Sequence, residues 1–158
     1  MTEAAPRRRI PIEAGFFTIP EDPSASPQLL GSRCHACGEH FFPRRLVCAR
    51  CLAQGCEGVL LGSRGTLWTY TWVHVPFFGG KQATAVGYGV GQVDLPEGPR
   101  IQAVLSGAQG DFAIGMPMQL ELETLREGPE GEQVVIHRFK PVTGRAGPDL
   151  GVAGGARA

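Results

Sequence analysis

The chain has no run of apolar residues near the roughly 20 that a membrane-spanning helix needs, so a soluble protein without a membrane partner is expected. It also lacks an excess of charge: fifteen Lys and Arg are balanced by fifteen Asp and Glu, which argues against a main affinity for phosphate backbones. The basic N-terminus, Met1 to Arg9, runs into Pro11 and Glu13 without an apolar core segment. No signal peptide is therefore expected, and the expected location is cytoplasmic. With 23 Gly and 13 Pro there is little room for long helices, and a mainly β protein of short strands and many turns is the expectation. Catalytic machinery is missing too. No Ser/His/Asp order and no paired acids at a pocket can be argued from the residues, so the chain is not expected to be an enzyme on its own.

What the chain does have is a cysteine pattern. Four of its five cysteines form two Cys-x-x-Cys knuckles, Cys34-His35-Ala36-Cys37 and Cys48-Ala49-Arg50-Cys51, separated by ten residues. Each pair spans a tight turn, and ten residues suffice for a hairpin that brings the second pair back to the first. Four thiolates so arranged close a tetrahedral shell around one ion, expected to be a structural zinc, one per chain. Two disulfides are the competing reading, disfavoured in a chain with no mark of an oxidising compartment. An iron centre would use the same four ligands. Four protein ligands leave no open position for water, so this site would hold the local fold without acting as a Lewis acid. His35 and His40 are near enough to compete as ligands, and Cys56 has no partner at knuckle spacing and reads as a spare thiol.

The organisation follows from composition. Residues 1–27 form a Pro-rich arm, with Phe16-Phe17 as its one bulky apolar pair, expected to be extended with room for one helical turn around Ile12 to Phe17. That pair either folds back on the body or docks on another chain. Residues 28–61 form the zinc ribbon, with Phe41-Phe42-Pro43-Arg44-Arg45 on its hairpin. Residues 62–145 read as successive short strands. Between Gly65 and Val75, alternation sets Trp68, Tyr70, Trp72 and His74 on one face and Leu67, Thr69, Thr71, Val73 and Val75 on the other. Pro76 to Gln82, containing Phe77-Phe78, is a connection. The next strand, 83–95, bears Gly87, Gly89 and Gly91 at every second position, a bare face suited to a barrel corner or to close approach by a chain or ligand. Further strands cover 100–105, 118–123 and 133–139, with a short helical insert in 107–115. Five strands and one insert match an OB-type barrel, an SH3-like barrel being the alternative. Residues 146–158 are Gly/Ala-rich and expected to be disordered.

Certain residues resemble a known family. Leu30 with Cys34-x-x-Cys37-Gly38, Phe42-Pro43-Arg44, Cys48-x-x-Cys51, Gly65-Thr66 with Tyr70-Thr71, Gly115-Met116-Pro117 and Arg138-Phe139-Lys140-Pro141 look like the DUF35 family. The resemblance runs through 28–142 in order. It implies a rubredoxin-like zinc ribbon joined to an OB-fold. It further implies a small companion of thiolase-superfamily enzymes, or of hydratases and aldol-cleaving relatives, in acyl-CoA metabolism. The family often carries an aromatic helix ahead of the ribbon, where this chain has Phe16-Phe17 in a Pro-broken arm.

Three functions are weighed on this basis. The first is a non-catalytic subunit of a thiolase-type complex, with Phe41, Phe42, Phe77 and Phe78 as candidate interface anchors. The second, an acyl-CoA-binding subunit of a hydratase or aldolase complex, would set Arg44 and Arg45 on the nucleotide phosphates. The third, a single-stranded nucleic-acid binder stacking bases on Trp68, Tyr70 and Trp72, is disfavoured by charge. The ribbon's Arg33, Arg44, Arg45 and Arg50 stand against Glu39 and Glu57, a net +2, and the barrel carries seven basic against eight acidic residues. His74 and His137 are read as structural histidines, because no carboxylate pattern points at either.

Overall fold

A computed structural model describes residues 7–22, 24–74 and 87–142. Strands dominate: β1 (Arg9–Pro11), β2 (Leu29–Cys34), β3 (His40–Phe41), β4 (Cys56–Leu61), β5 (Arg64–Val73), β6 (Tyr88–Asp94), β7 (Arg100–Leu105), β8 (Pro117–Glu127) and β9 (Gln133–Pro141). Among the described residues the one helical piece is a 3₁₀ turn, Gln109–Asp111. No helix there is long and apolar enough to cross a membrane.

The C-terminal strands close on themselves. β5 pairs with β6, β6 with β7, β7 with β9, β9 with β8, and β8 returns to β5. The β7–β9 contact is parallel, at Leu105 and Phe139, and the others are antiparallel. This is the five-stranded OB barrel, with the 3₁₀ turn in the place of the insert between its third and fourth strands. Period-two patterning builds it. On β8, Met118 and Leu120 point into the core, with Phe139 of β9 directly across from Leu120. Outward, Glu121 lies 2.8 Å from Lys140 and Glu123 lies 2.9 Å from Arg138, so the acidic face of β8 is matched by the basic face of β9.

Two details of β5 and β6 depart from strict alternation. A β-bulge between Leu67 and Thr69 adds a residue at Trp68. Leu67, Tyr70 and Trp72 therefore turn to the core together, while Trp68 is thrown outward beneath the Arg100 guanidinium, 3.5 Å from the ring centroid. Asp94 holds that guanidinium by two hydrogen bonds, at 2.5 and 3.0 Å. The expected common face of Trp68, Tyr70 and Trp72 does not exist. The bare glycine face of β6 is a barrel corner, filled by the protein itself. A Cβ on Gly91 would lie 2.9 Å from Leu105 and 3.0 Å from Leu67, and one on Gly89 would meet Leu105 and Phe112 at 3.3 Å. Phe112, just after the 3₁₀ turn, closes this end of the barrel, and its carbonyl accepts a hydrogen bond from Tyr70 Oη at 3.0 Å.

The ribbon is a three-stranded sheet in the order β3-β2-β4. Its far end is rooted in the barrel: Leu29 and Leu61 face each other across β2 and β4, are fully buried, and belong to the same core cluster as Leu67, Met118 and Phe139. Glu97, on the β6–β7 turn, accepts the Gly62 N–H at 2.7 Å and pins the junction.

The N-terminal arm folds back rather than projecting. β1 adds to β9 in parallel, the Phe16 carbonyl accepts the Leu30 N–H at 2.8 Å, and Thr18 N–H reaches the Gln28 carbonyl at 2.8 Å. No helix forms at Ile12 to Phe17; bends and a turn at Ala14 and Gly15 lead instead into the bridge from Phe17 to Leu29. Phe17 enters the core. Phe77, Phe78 and the Gly/Ala-rich tail lie outside the described residues.

Candidate metal centre and its surroundings

The ribbon's two knuckles bring four sulfurs together. The Sγ atoms of Cys34, Cys37, Cys48 and Cys51 all lie within 4.8 Å of one another. Cys34 and Cys51 are 3.7 Å apart, Cys37 and Cys48 3.6 Å. Four sulfurs at a bond length of about 2.3 Å from a central ion stand about 3.8 Å apart at the edges of a tetrahedron, so the cage has the dimensions of such a site. Cys34 and Cys48 are buried and Cys37 and Cys51 exposed, which seats the cage at the surface with its back to the ribbon.

Each knuckle is shaped by its own backbone. The first cysteine's carbonyl accepts a hydrogen bond from the residue following the second: Gly38 N–H to Cys34 at 2.9 Å and Leu52 N–H to Cys48 at 3.0 Å. Closing that turn needs a left-handed residue, and Gly38 and Leu52 supply it with φ of 74° and 61°. Backbone donors then aim at sulfur. Arg50 and Cys51 N–H groups each lie 3.4 Å from Cys48 Sγ.

The electrostatics fit a cation. The N–H of Cys37, and less strongly that of Ala36, hold the Cys34 thiol down at about 6, against burial. At Cys37 the Glu39 N–H pulls downward, but burial and the hydrogens shared with Cys48, Cys51 and Cys34 push the thiol up to about 12. The two shifts run in opposite directions because the sulfurs share hydrogens, one accepting where its neighbour donates. Cys34, Cys37, Cys48 and Cys51 would hold a divalent ion as thiolates, its charge favouring their deprotonation.

Neither neighbouring histidine joins the cage. His35 Nε2 sits 4.0 Å from Glu57, and His40 is on β3. Cys56 stands directly across from Cys34 on β4, outside the four, its thiol raised by burial and by the charges of Cys34 and Cys48. This fifth sulfur is far closer to the cage than its place in the sequence suggests.

The arginine pair is splayed. A Cβ built on Gly58 of β4 would meet the Arg44 guanidinium at 3.3 Å, whereas Arg45 lies over the Phe41 ring of β3, 5.5 Å from its centroid. β3 and β4 flank β2 on opposite sides, so the two guanidiniums rest against different strands. Phe41 and Phe42 also part. Phe42 packs edge-on to Phe16, with centroids 5.6 Å apart, and to His137 at 6.0 Å. His137 is thus enclosed by Phe16, Phe17 and Phe42, and burial lowers its basicity. Nothing local in the sequence marks that enclosure. Leu52 was findable, because it occupies the place that glycine holds after the first knuckle.

Taken together, a sulfur cage of ribbon geometry rooted in an OB barrel defines a zinc-ribbon/OB-fold protein. Residues 25–57 match the ChsH2 rubredoxin-like zinc ribbon domain and residues 58–123 the ChsH2 C-terminal OB-fold domain. The chain belongs to the DUF35 family that these domains define. It is similar to the benzoylsuccinyl-CoA thiolase subunit BbsA of Thauera aromatica, with 33% identity over 117 residues, 74% of this chain and 78% of the relative. A DUF35 domain-containing scaffold protein of Methanocaldococcus jannaschii is 33% identical over 118 residues, 72% of this chain and 82% of the relative. Among solved structures, the Ltp2-ChsH2(DUF35) aldolase superposes with a TM-score of 0.57 at 30% identity, over 72% of this chain and 84% of the matched one.

Proposed function

We infer that this chain is a non-catalytic, zinc-binding subunit that associates with a thiolase-superfamily enzyme and supports carbon–carbon bond cleavage or formation on an acyl-CoA. The observation that carries the reading is the similarity, across most of both chains, to a benzoylsuccinyl-CoA thiolase subunit. The cage is consistent with it. Cys34, Cys37, Cys48 and Cys51 would hold one zinc, which contributes folding energy to a hairpin too small to fold on hydrophobic burial alone. With four cysteine donors there is no free coordination position for a water or a thioester carbonyl, so the chemistry falls to the partner.

The test is co-expression of this chain with the thiolase-superfamily subunit of its own host, followed by copurification and assay. A stable hetero-oligomer whose acyl-CoA turnover depends on both chains is expected. Thioester turnover by this chain alone, or the absence of association, would overturn the reading.

An aldolase partner is the second reading, favoured by the likeness to the Ltp2-ChsH2(DUF35) aldolase. The consumption of free CoA separates the two. Thiolysis consumes free CoA as the nucleophile that takes the cleaved acyl group, whereas retro-aldol cleavage splits a β-hydroxyacyl thioester into a carbonyl compound and a shorter thioester without consuming any. Cleavage by the purified complex with and without added CoA distinguishes them.

A further inference from the structure

The two knuckles share a backbone and differ in what they display. The left-handed position after the second cysteine is Gly38 in one and Leu52 in the other. Glycine takes that conformation freely, while for leucine it is strained, because Cβ crowds the following carbonyl. Leu52 is the one non-glycine residue in this region among the described residues. Its side chain returns little to the fold, being 76% exposed. Leu46 and Val47 lie on the same hairpin, tied by the Cys48 N–H to the Ala53 carbonyl and the Gly55 N–H to the Leu46 carbonyl, and are 83% and 46% exposed. The first knuckle, with His35, Ala36 and Gly38, has no such apolar display.

Charge narrows what could cover the hairpin. Arg50 pairs with Glu39 at 2.7 Å and Arg33 approaches Glu57 at 4.0 Å. Arg44 and Arg45, which lead directly into Leu46, have no carboxylate partner among the described residues. We propose that the hairpin 46–56 is the surface that docks on the partner enzyme, with Leu46, Val47 and Leu52 entering an apolar recess whose rim presents carboxylates to Arg44 and Arg45. The proposal rests on the functional reading above and names its contact. A second copy of this chain is a poor occupant, because a twofold contact here would bring two Arg44–Arg45 pairs together. The splay of the guanidiniums suits separate carboxylates better than one phosphate group.

The test measures binding of the full chain to the host's purified thiolase-superfamily subunit, for wild type, Leu46→Ser, Leu52→Gly, the pair Arg44→Glu/Arg45→Glu, and Ile114→Ser. Ile114 is also exposed, at 67%, but lies on the barrel. Metal content and thermal melting verify folding, and Leu52→Gly removes backbone strain, so it should melt no lower than wild type. Loss of one buried leucine contact raises Kd by about ten- to a hundredfold, and that is expected of Leu46→Ser and Leu52→Gly. The arginine reversal should slow association and flatten its salt dependence, with Ile114→Ser unchanged. Wild-type binding that survives both leucine changes overturns this proposal alone. Failure of the wild type to bind overturns it together with the functional reading. A wild-type dimer that Leu46→Ser dissociates while enzyme binding is retained assigns the hairpin to self-association and also overturns it.

Discussion

The ring of Phe42 stands edge-on to the imidazole of His137, with planes at 76°, so that a side chain of the ribbon covers a histidine of the barrel. Phe16 and Phe17 of the arm complete the enclosure. Burial disfavours the imidazolium, and the basicity of His137 is lowered in the folded protein, whereas in the unfolded chain it titrates near 6.5. Below that value the unfolded state binds the extra proton, so the contribution of His137 to stability is full above about pH 6.5 and is lost as pH falls beneath it. Thermal melting of wild type and His137→Gln between pH 8 and 5 should converge toward the acid end. Parallel curves would remove His137 from the acid response.

Phe42→Ala should cost about 1–3 kcal/mol, because it uncovers Phe16 and His137 while the backbone stays in place. Denaturant unfolding gives the magnitude. Limited proteolysis adds the location, with cleavage expected to rise first within the arm.

The cage predicts a division among the cysteines. Cys51→Ser should abolish tight zinc binding, since a hydroxyl replaces one of four thiolates, whereas Cys56→Ser should retain one equivalent. Elemental analysis of the purified variants distinguishes the two. Equal loss in both would bring the fifth sulfur into the ligand set.

Exchanging the knuckles' special positions should act in opposite directions. Gly38→Leu forces a side chain into the left-handed region and should cost about 1–2 kcal/mol. Thermal melting and competition with a metal-sensitive dye should both report weakening there, and neither should do so for Leu52→Gly.

In the barrel, Gly91→Ala places a methyl 2.9 Å from Leu105 and 3.0 Å from Leu67. Overpacking of this kind costs about 1–3 kcal/mol. Adding Leu105→Val should recover part of the loss, giving a double-mutant cycle with a favourable coupling. Additive losses would place the strain elsewhere.

The residues that could be read from sequence are those whose partners lie close along the chain. The knuckles carry their spacing locally, and β8 displays its period in Met118, Leu120 and Glu121. Where the reading failed, a distant partner decided the outcome. The bulge at Trp68 arises from the pairing of β5 with β6, and no alternation in β5 alone reveals it. The glycines of β6 advertise close approach, but that Leu105 and Phe112 make it follows only from barrel closure. Phe16 and Phe17 plainly needed cover. Their covers, Phe42 on the ribbon hairpin and His137 on the last barrel strand, lie far along the chain from them.

The burial of Leu29 and Leu61 in the same cluster as the barrel's own leucines has a consequence for how such a protein can be divided. A cut between residues 61 and 62 would leave the barrel uncorked at one end and strip the ribbon of its footing. The two modules should therefore unfold as one unit, and a mutation that disrupts the sulfur cage should be felt as far away as Phe139.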